Sequence, residues 1–221
     1  MKRAAAAEFL GALLLTASVV GSGVMAESLS AGNPAVALLG NTLATVAVLA
    51  VLIATFAPVS GAHFNPAVTW AAHWREGGSV TRAIVYPLAQ VVGCCSGAVL
   101  ANLMFELPAV NLSAHGRAGA GQWLGEFVAS AGLILVVFTS PTAREATWRI
   151  PAWIAGAYWF TSSTSFANPA ITLARSLSDT FAGIDPRDVP GFVLAQLAGT
   201  AAGLFLLKLF DQRGSPRIAG A

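Results

Sequence analysis

The residues of this chain best suited to chemistry come in pairs. Asn65-Pro66-Ala67 and Asn168-Pro169-Ala170 each set a carboxamide directly ahead of a proline and an apolar run. A carboxamide offers two N–H donors and a carbonyl acceptor. Proline suits the first turn of a helix, where its missing N–H does no harm. Each asparagine is therefore expected at the amino end of a short helix, where the dipole places partial positive charge. Such a group binds and orients uncharged oxygen compounds and breaks no covalent bond. Glu8 and Glu126 lie inside apolar runs, and a carboxylate there needs named partners. His63 stands two residues before Asn65, and Cys94 and Cys95 are adjacent. Neighbours on a helix point about 100° apart, and cysteine is commonly buried packing. The pair therefore reads as packing, with no disulfide framework. Nowhere does the sequence set a nucleophile beside a base, or His, Cys and carboxylates at ligand spacing. It suggests neither an enzyme nor a metal or other cofactor.

The elements that must position these groups are built for lipid. Of 221 residues, 56% are hydrophobic and only 10% charged, against roughly 45–50% and about 25% in soluble domains. A lipid-facing surface cannot carry the missing charge. The net charge of +2 gives no case for a nucleic-acid partner. Six stretches suffice to span a bilayer core, which takes about 20 helical residues: 4–25, 35–57, 82–105, 121–140, 149–164 and 190–210. Segments 65–74 and 168–177 are long enough for half a membrane. Asn33-Pro34-Ala35 precedes a full span and reads as a loop. Lys2, Arg3 and Val24-Met25-Ala26 would suit a cleaved leader, but Glu8 inside the apolar run argues against one. The expected class is an all-α membrane protein, six transmembrane helices plus two re-entrant half-helices, in one domain over 1–221. With the amino terminus in the cytoplasm, Lys2, Arg3, Arg75, Arg82, Arg144, Arg149, Lys208, Arg213 and Arg217 lie inside. Only Arg117, Arg175 and Arg187 then lie outside. That bias sets both termini in the cytoplasm of a cell whose plasma (inner) membrane holds the chain.

The chain is written twice. Asn65-Pro66-Ala67-Val68-Thr69-Trp70-Ala71 matches Asn168-Pro169-Ala170-Ile171-Thr172-Leu173-Ala174 at five of seven positions. Leu88-Ala89-Gln90 with Gly93 and Gly97 matches Leu194-Ala195-Gln196 with Gly199 and Gly203, and Glu8-Phe9 matches Glu126-Phe127. Three spans per half is an odd number, so the repeats (about 4–105 and 121–210) are inverted about an axis in the membrane plane. The half-helices then meet amino end to amino end near the midplane. Irregular backbone at that depth must line a cavity or lie within protein, so a water-filled path between the halves is expected. The glycine pairs read as close helix packing.

At these residues the chain resembles the aquaporin and glycerol-facilitator family. The run Ser60-Gly61-Ala62-His63-Phe64-Asn65-Pro66-Ala67-Val68-Thr69 is similar to its first signature loop, and the resemblance extends from about Glu8 to about Phe210. It implies an aquaporin-like fold and a homotetramer with one pore per subunit in the lipid bilayer. Asn65 and Asn168 would donate to a passing oxygen. Gly61, Ala62 and His63, with Thr164, Ser165 and Phe166, would present carbonyls to the pore. Glu8 and Glu126 would hold the loops from behind.

The resemblance also exposes a departure. Most members follow the second Asn-Pro-Ala with arginine, and this chain has Ile171. In the family's spacing the rest of the narrow ring is Thr45, Gly156 and Ser165, so the ring would be small, uncharged and free of aromatics. That implies a passive channel for glycerol-like polyols, metalloid acids such as arsenous acid, and water, as in a bacterial branch associated with arsenic resistance. The competing readings are a water-selective channel, and an ion channel or proton-coupled transporter. Arg175, at i+4 from Ile171, is the one candidate to substitute from the next turn. It reads instead as an anchoring charge or a partner of Asp179.

Overall fold

The computed structural model describes residues 1–210; Arg213 and Arg217 lie outside the described residues. Among the described residues the order is α1 (Lys2–Leu29), α2 (Pro34–Ser60), α3 (Pro66–Glu76), α4 (Val80–Met104), α5 (Ala120–Thr139), α6 (Ala143–Phe160), α7 (Pro169–Arg175) and α8 (Val189–Phe210). Five of them, α1, α2, α4, α5 and α8, are long and apolar enough to cross a membrane. At 11 and 7 residues, α3 and α7 reach about 16 and 10 Å at 1.5 Å per residue, which is half a bilayer or less.

Helix caps account for two of the places where the boundaries differ from the sequence expectation. Asn33-Pro34-Ala35 is no loop: Asn33 Oδ1 accepts from the N–H groups of Ala35 and Val36 and caps α2. The fifth span was expected at 149–164, but α6 starts at Ala143, where Thr142 Oγ1 accepts from the Glu145 N–H at 3.1 Å. Thr and Glu three residues apart make a capping pair that outweighs the charges of the first turns. The helix stops at Phe160, where Thr161 turns extended at φ −103° and ψ 142°.

The two halves pack alike. α4 lies on α1 and α8 lies on α5, each at its glycine pair. A Cβ built on Gly93 or Gly97 would come within 2.4 Å of the Phe9 carbonyl oxygen or 2.2 Å of that of Leu13. On Gly199 or Gly203 it would come within 2.2 Å of the Phe127 oxygen or 2.7 Å of that of Ala131. Backbone therefore meets backbone where a methyl group cannot fit. Leu10, Leu14, Leu88, Leu194 and Phe205 remain exposed on the outside, as a lipid-facing surface requires.

Gly97→Ala should lower the thermal unfolding midpoint in detergent, since an overpacked core position costs about 1–3 kcal/mol. Gly116, which has open space around it, should accept alanine without a shift. Equal midpoints for the two variants, followed by tryptophan fluorescence, would contradict this packing.

Candidate functional site

Each re-entrant loop hangs on one buried carboxylate. Glu8 Oε1 accepts from Ser60 Oγ at 2.6 Å and from the His63 N–H at 3.0 Å. Its Oε2 accepts from the Phe64 N–H and from Gln90 Nε2, both at 2.7 Å. In the second half Glu126 Oε1 accepts from the Phe166 N–H at 2.8 Å. Its Oε2 accepts from the Ala167 N–H at 2.8 Å and from Gln196 Nε2 at 2.6 Å. Both glutamates are wholly buried. The glutamines continue the match, donating to Thr69 Oγ1 and Thr172 Oγ1, which donate in turn to the Asn65 and Asn168 carbonyls.

The loops are held in a strained shape. Ala62 and Phe64 have φ of 52° and 49°, and Ser165 and Ala167 have 52° and 45°. The left-handed region costs a non-glycine residue roughly 1–3 kcal/mol and persists only where surrounding bonds enforce it. The carboxylates supply those bonds at Phe64 and Ala167, and Ser60 Oγ and Ser163 Oγ accept from the N–H groups of Ala62 and Ser165. His63 is fixed sideways: its Nε2 accepts from Arg82 Nη2 and its Nδ1 faces Thr69 Oγ1, both at 3.0 Å. Arginine only donates, so the ring proton sits on Nδ1.

The two half-helices meet through an exchange of bonds. Asn65 Oδ1 caps α3 at the Ala67 N–H, while Asn65 Nδ2 donates to the Ala167 carbonyl at 2.7 Å. Asn168 Oδ1 caps α7 at Ala170 and Ile171, while its Nδ2 donates to the Phe64 carbonyl at 2.8 Å. Each loop holds the other's asparagine, as a two-fold relation demands. The second hydrogen of each amide remains, and both asparagines line a cavity of about 330 Å³. This cavity reaches from Glu76 at the end of α3 to Arg175 at the end of α7. Much of its wall is apolar, with Leu15, Leu49, Val68 and Leu133.

The Major intrinsic protein family model matches residues 1–157. The chain belongs to this family. It is a membrane channel for water and small neutral solutes, and not an enzyme. It is 47% identical, over 99% of its own length and 94% of the other, to "Aquaglyceroporin AqpS" of Rhizobium meliloti (strain 1021). It is 37% identical, over 67% of its length and 56% of the other, to "Probable aquaporin PIP2-8" of Oryza sativa subsp. japonica. Its fold matches the X-ray structure of the aquaglyceroporin from Plasmodium falciparum at a TM-score of 0.71, with 96% of each chain covered and 20% identity.

Not every residue expected in this family's pore reaches the lumen. Thr45, Ser165 and Ile171 line the cavity, as do Gly61, Ala62, His63 and Phe166. Thr164 is half-buried and off the lumen. Gly156 is also off it, on the exposed face of α6. The lumen is lined instead by Ile154 and Tyr158, one turn apart, and Gly156 lies between them on the opposite side of the helix. The reading of Arg175 also changes. It is 3% exposed, its Nε donates to the Ala182 carbonyl, and its guanidinium carbon lies 3.3 Å from the centroid of the Phe166 ring. Asp179 turns away and accepts from the Ala114 N–H at 2.9 Å. The cavity end near α7 is thus neither uncharged nor free of aromatics.

Two loops close over that end. Segment 106–119 runs beside 176–188, with the N–H groups of Asn111 and Ser113 donating to the Leu177 and Ser176 carbonyls. Arg117 reaches inward: its Nε donates to the Gly183 carbonyl at 2.7 Å and its Nη2 to that of Phe181 at 3.3 Å. Burial lowers its pKa to about 10, which leaves it charged at neutral pH. Its guanidinium also lies over the Phe166 ring, 5.0 Å from the centroid. The sequence signal for this contact was only an arginine in a polar loop.

Glu126→Gln should lower stability by roughly 1–3 kcal/mol, the cost of leaving a buried donor unsatisfied. The glutamine amide would meet N–H groups where a carboxylate oxygen now accepts. Glu8→Gln should cost a similar amount, since its partners are matched. Denaturation in detergent micelles measures both, and a wild-type midpoint in either variant contradicts the role of the carboxylate.

Proposed function

We propose that the channel conducts small uncharged hydroxylated solutes, glycerol-like polyols and metalloid acids such as arsenous acid, together with water. The lumen's mixed chemistry carries the reading: an apolar wall with Ile171 after the second Asn-Pro-Ala, and one line of polar groups. A polyol would lay its carbon edge along that wall and pass its hydroxyls along the polar line. The donors are the free amide hydrogens of Asn65 and Asn168. The acceptors are the carbonyls of Gly61, Ala62 and His63 at one end and of Ser165 and Phe166 at the other. Thr45, Ser165 and Ile171, with Tyr158 in the place expected of Gly156, form the narrow ring. The positive amino ends of α3 and α7 oppose a proton or cation at the centre. The relative named as an aquaglyceroporin supports the same solute class.

The unit that does this is one channel over 1–221, made of two inverted repeats, and it assembles as a homotetramer in the plasma membrane. Both termini face the cytoplasm, which sets the α3 mouth inside and the α7 mouth outside, as the lysine and arginine bias indicates. A second reading, a water-selective channel, is favoured by Tyr158, Phe166 and Arg175 at the α7 end of the cavity.

Stopped-flow light scattering on proteoliposomes separates the two. Glycerol and arsenous acid should cross several-fold faster than in empty vesicles; flux of water alone would select the second reading. Asn168→Asp should abolish most of that flux, because a charge at membrane depth costs at least about 2.5–3.5 kcal/mol and removes an amide donor. Independently, a reporter inserted within 109–118 should be active only outside the cytoplasm. Cytoplasmic activity there would reverse the topology.

A further inference from the structure

We infer that Arg175 sets selectivity at the α7 mouth, doing from one helical turn further on what the side chain after Asn-Pro-Ala cannot do here. Two independent observations meet on this residue. The first is the repeat. On α3, Val68 and Ala72 both line the lumen, and their counterparts on α7 are Ile171 and Arg175, which line it too. The position is thus lumen-facing in both halves, and in one of them it carries a guanidinium.

The second is the state of that guanidinium. Arg175 is 97% buried by its 3% exposure. Among the described residues, the one hydrogen bond of its side chain runs from Nε to the Ala182 carbonyl. Both Nη groups are left as donors at the cavity wall. No carboxylate forms a salt bridge with it among the described residues, and the other guanidinium over the Phe166 ring, that of Arg117, is also a cation. Nearby, Ser165 Oγ is buried with no hydrogen-bond partner, and Ser165 lines the same cavity. Buried polar atoms without partners mark a place where a passing oxygen or water completes the bonding. Phe166 gives the device its rigidity. Its backbone N–H is held by Glu126 and its ring packs edge-on to Phe192 at 5.1 Å, so the guanidinium rests on a fixed platform.

Arg175 therefore acts in two ways. Its charge, without a salt-bridge partner among the described residues, repels cations at the mouth, and its Nη donors and bulk limit the size of hydroxylated solutes. The size limit rests on the solute reading above; the cation barrier does not.

The test uses the full chain in proteoliposomes, with Arg175→Leu, Arg175→Lys and wild type side by side. Water, glycerol and a five-carbon polyol probe size, and a potassium gradient with a voltage-sensitive dye probes ion leak. Arg175→Leu should admit the five-carbon polyol about tenfold faster relative to water, through loss of charged donors, and should leak potassium. Arg175→Lys should keep potassium out and still relax the size limit, because a compact ammonium lacks the planar fork. It also decides the matter if the leucine variant does not fold. Wild-type size limits in both variants, with no potassium leak through Arg175→Leu, overturn the inference and leave the solute reading standing. Wild-type vesicles that pass only water overturn the solute reading instead, and potassium leak through Arg175→Leu then decides the inference.

Discussion

The structure depends on a requirement that lipid imposes: a backbone N–H at membrane depth has no water to bond. Of the loop N–H groups outside any helix, those of His63, Phe64, Phe166 and Ala167 are taken by two carboxylates. Without Glu8 and Glu126 those N–H groups would be left unsatisfied where no water reaches them. Burying a carboxylate is costly when it stands alone. Each of these accepts at least three hydrogen bonds, so burial and bonding offset one another. The same bonds hold the left-handed Phe64 and Ala167 in place.

From that anchor the rest follows outward. Loops fixed at their N–H groups leave the next residue, asparagine, to cap a helix of its own, and proline then starts the helix without an orphan donor. Two capped ends at the same depth can satisfy one another, and the exchange between Asn65 and Ala167 and between Asn168 and Phe64 does so. It also leaves the two short helices pointing their positive ends at one place. The glycine seams serve the same end at longer range. They bring α4 onto α1 and α8 onto α5 closely enough for Gln90 and Gln196 to reach the glutamates.

What the sequence made legible was whatever is written in pairs. Glu8 with Glu126, Gln90 with Gln196 and the glycines were readable because duplication separates a requirement from an accident. Three single features were not. Gly156 was located by counting along a family pattern, and helix phase is sensitive to that count: two residues amount to 200° on α6, enough to trade the lumen for the lipid. Asn33 obeys the same capping physics as Asn65 and Asn168, but it caps a full span, and nothing pairs it with a second copy. Arg117 reaches the Phe166 ring from a long loop, and nothing local in a sequence shows where such a loop docks.

Arg175 shows how a break in the symmetry places a charge. Steps of four along the lumen face of α3 give Val68, Ala72 and Glu76, and all three line the cavity. The same steps on α7 give Ile171, Arg175 and Asp179. Had α7 continued, Asp179 would have followed Arg175 on one face, at the spacing of a helical ion pair. But α7 ends at Arg175, and the next N–H groups fall back on carbonyls three residues earlier: Ser176 on Leu173, Leu177 on Ala174, Ser178 on Arg175. Asn102 fixes that turn from the side, donating to the Leu177 carbonyl and accepting from Ser178 Oγ. Asp179 is thereby carried off the lumen face to cap the loop at Ala114. The helix stops one turn short, and among the described residues the arginine stands on the wall of the pore without a salt bridge to Asp179.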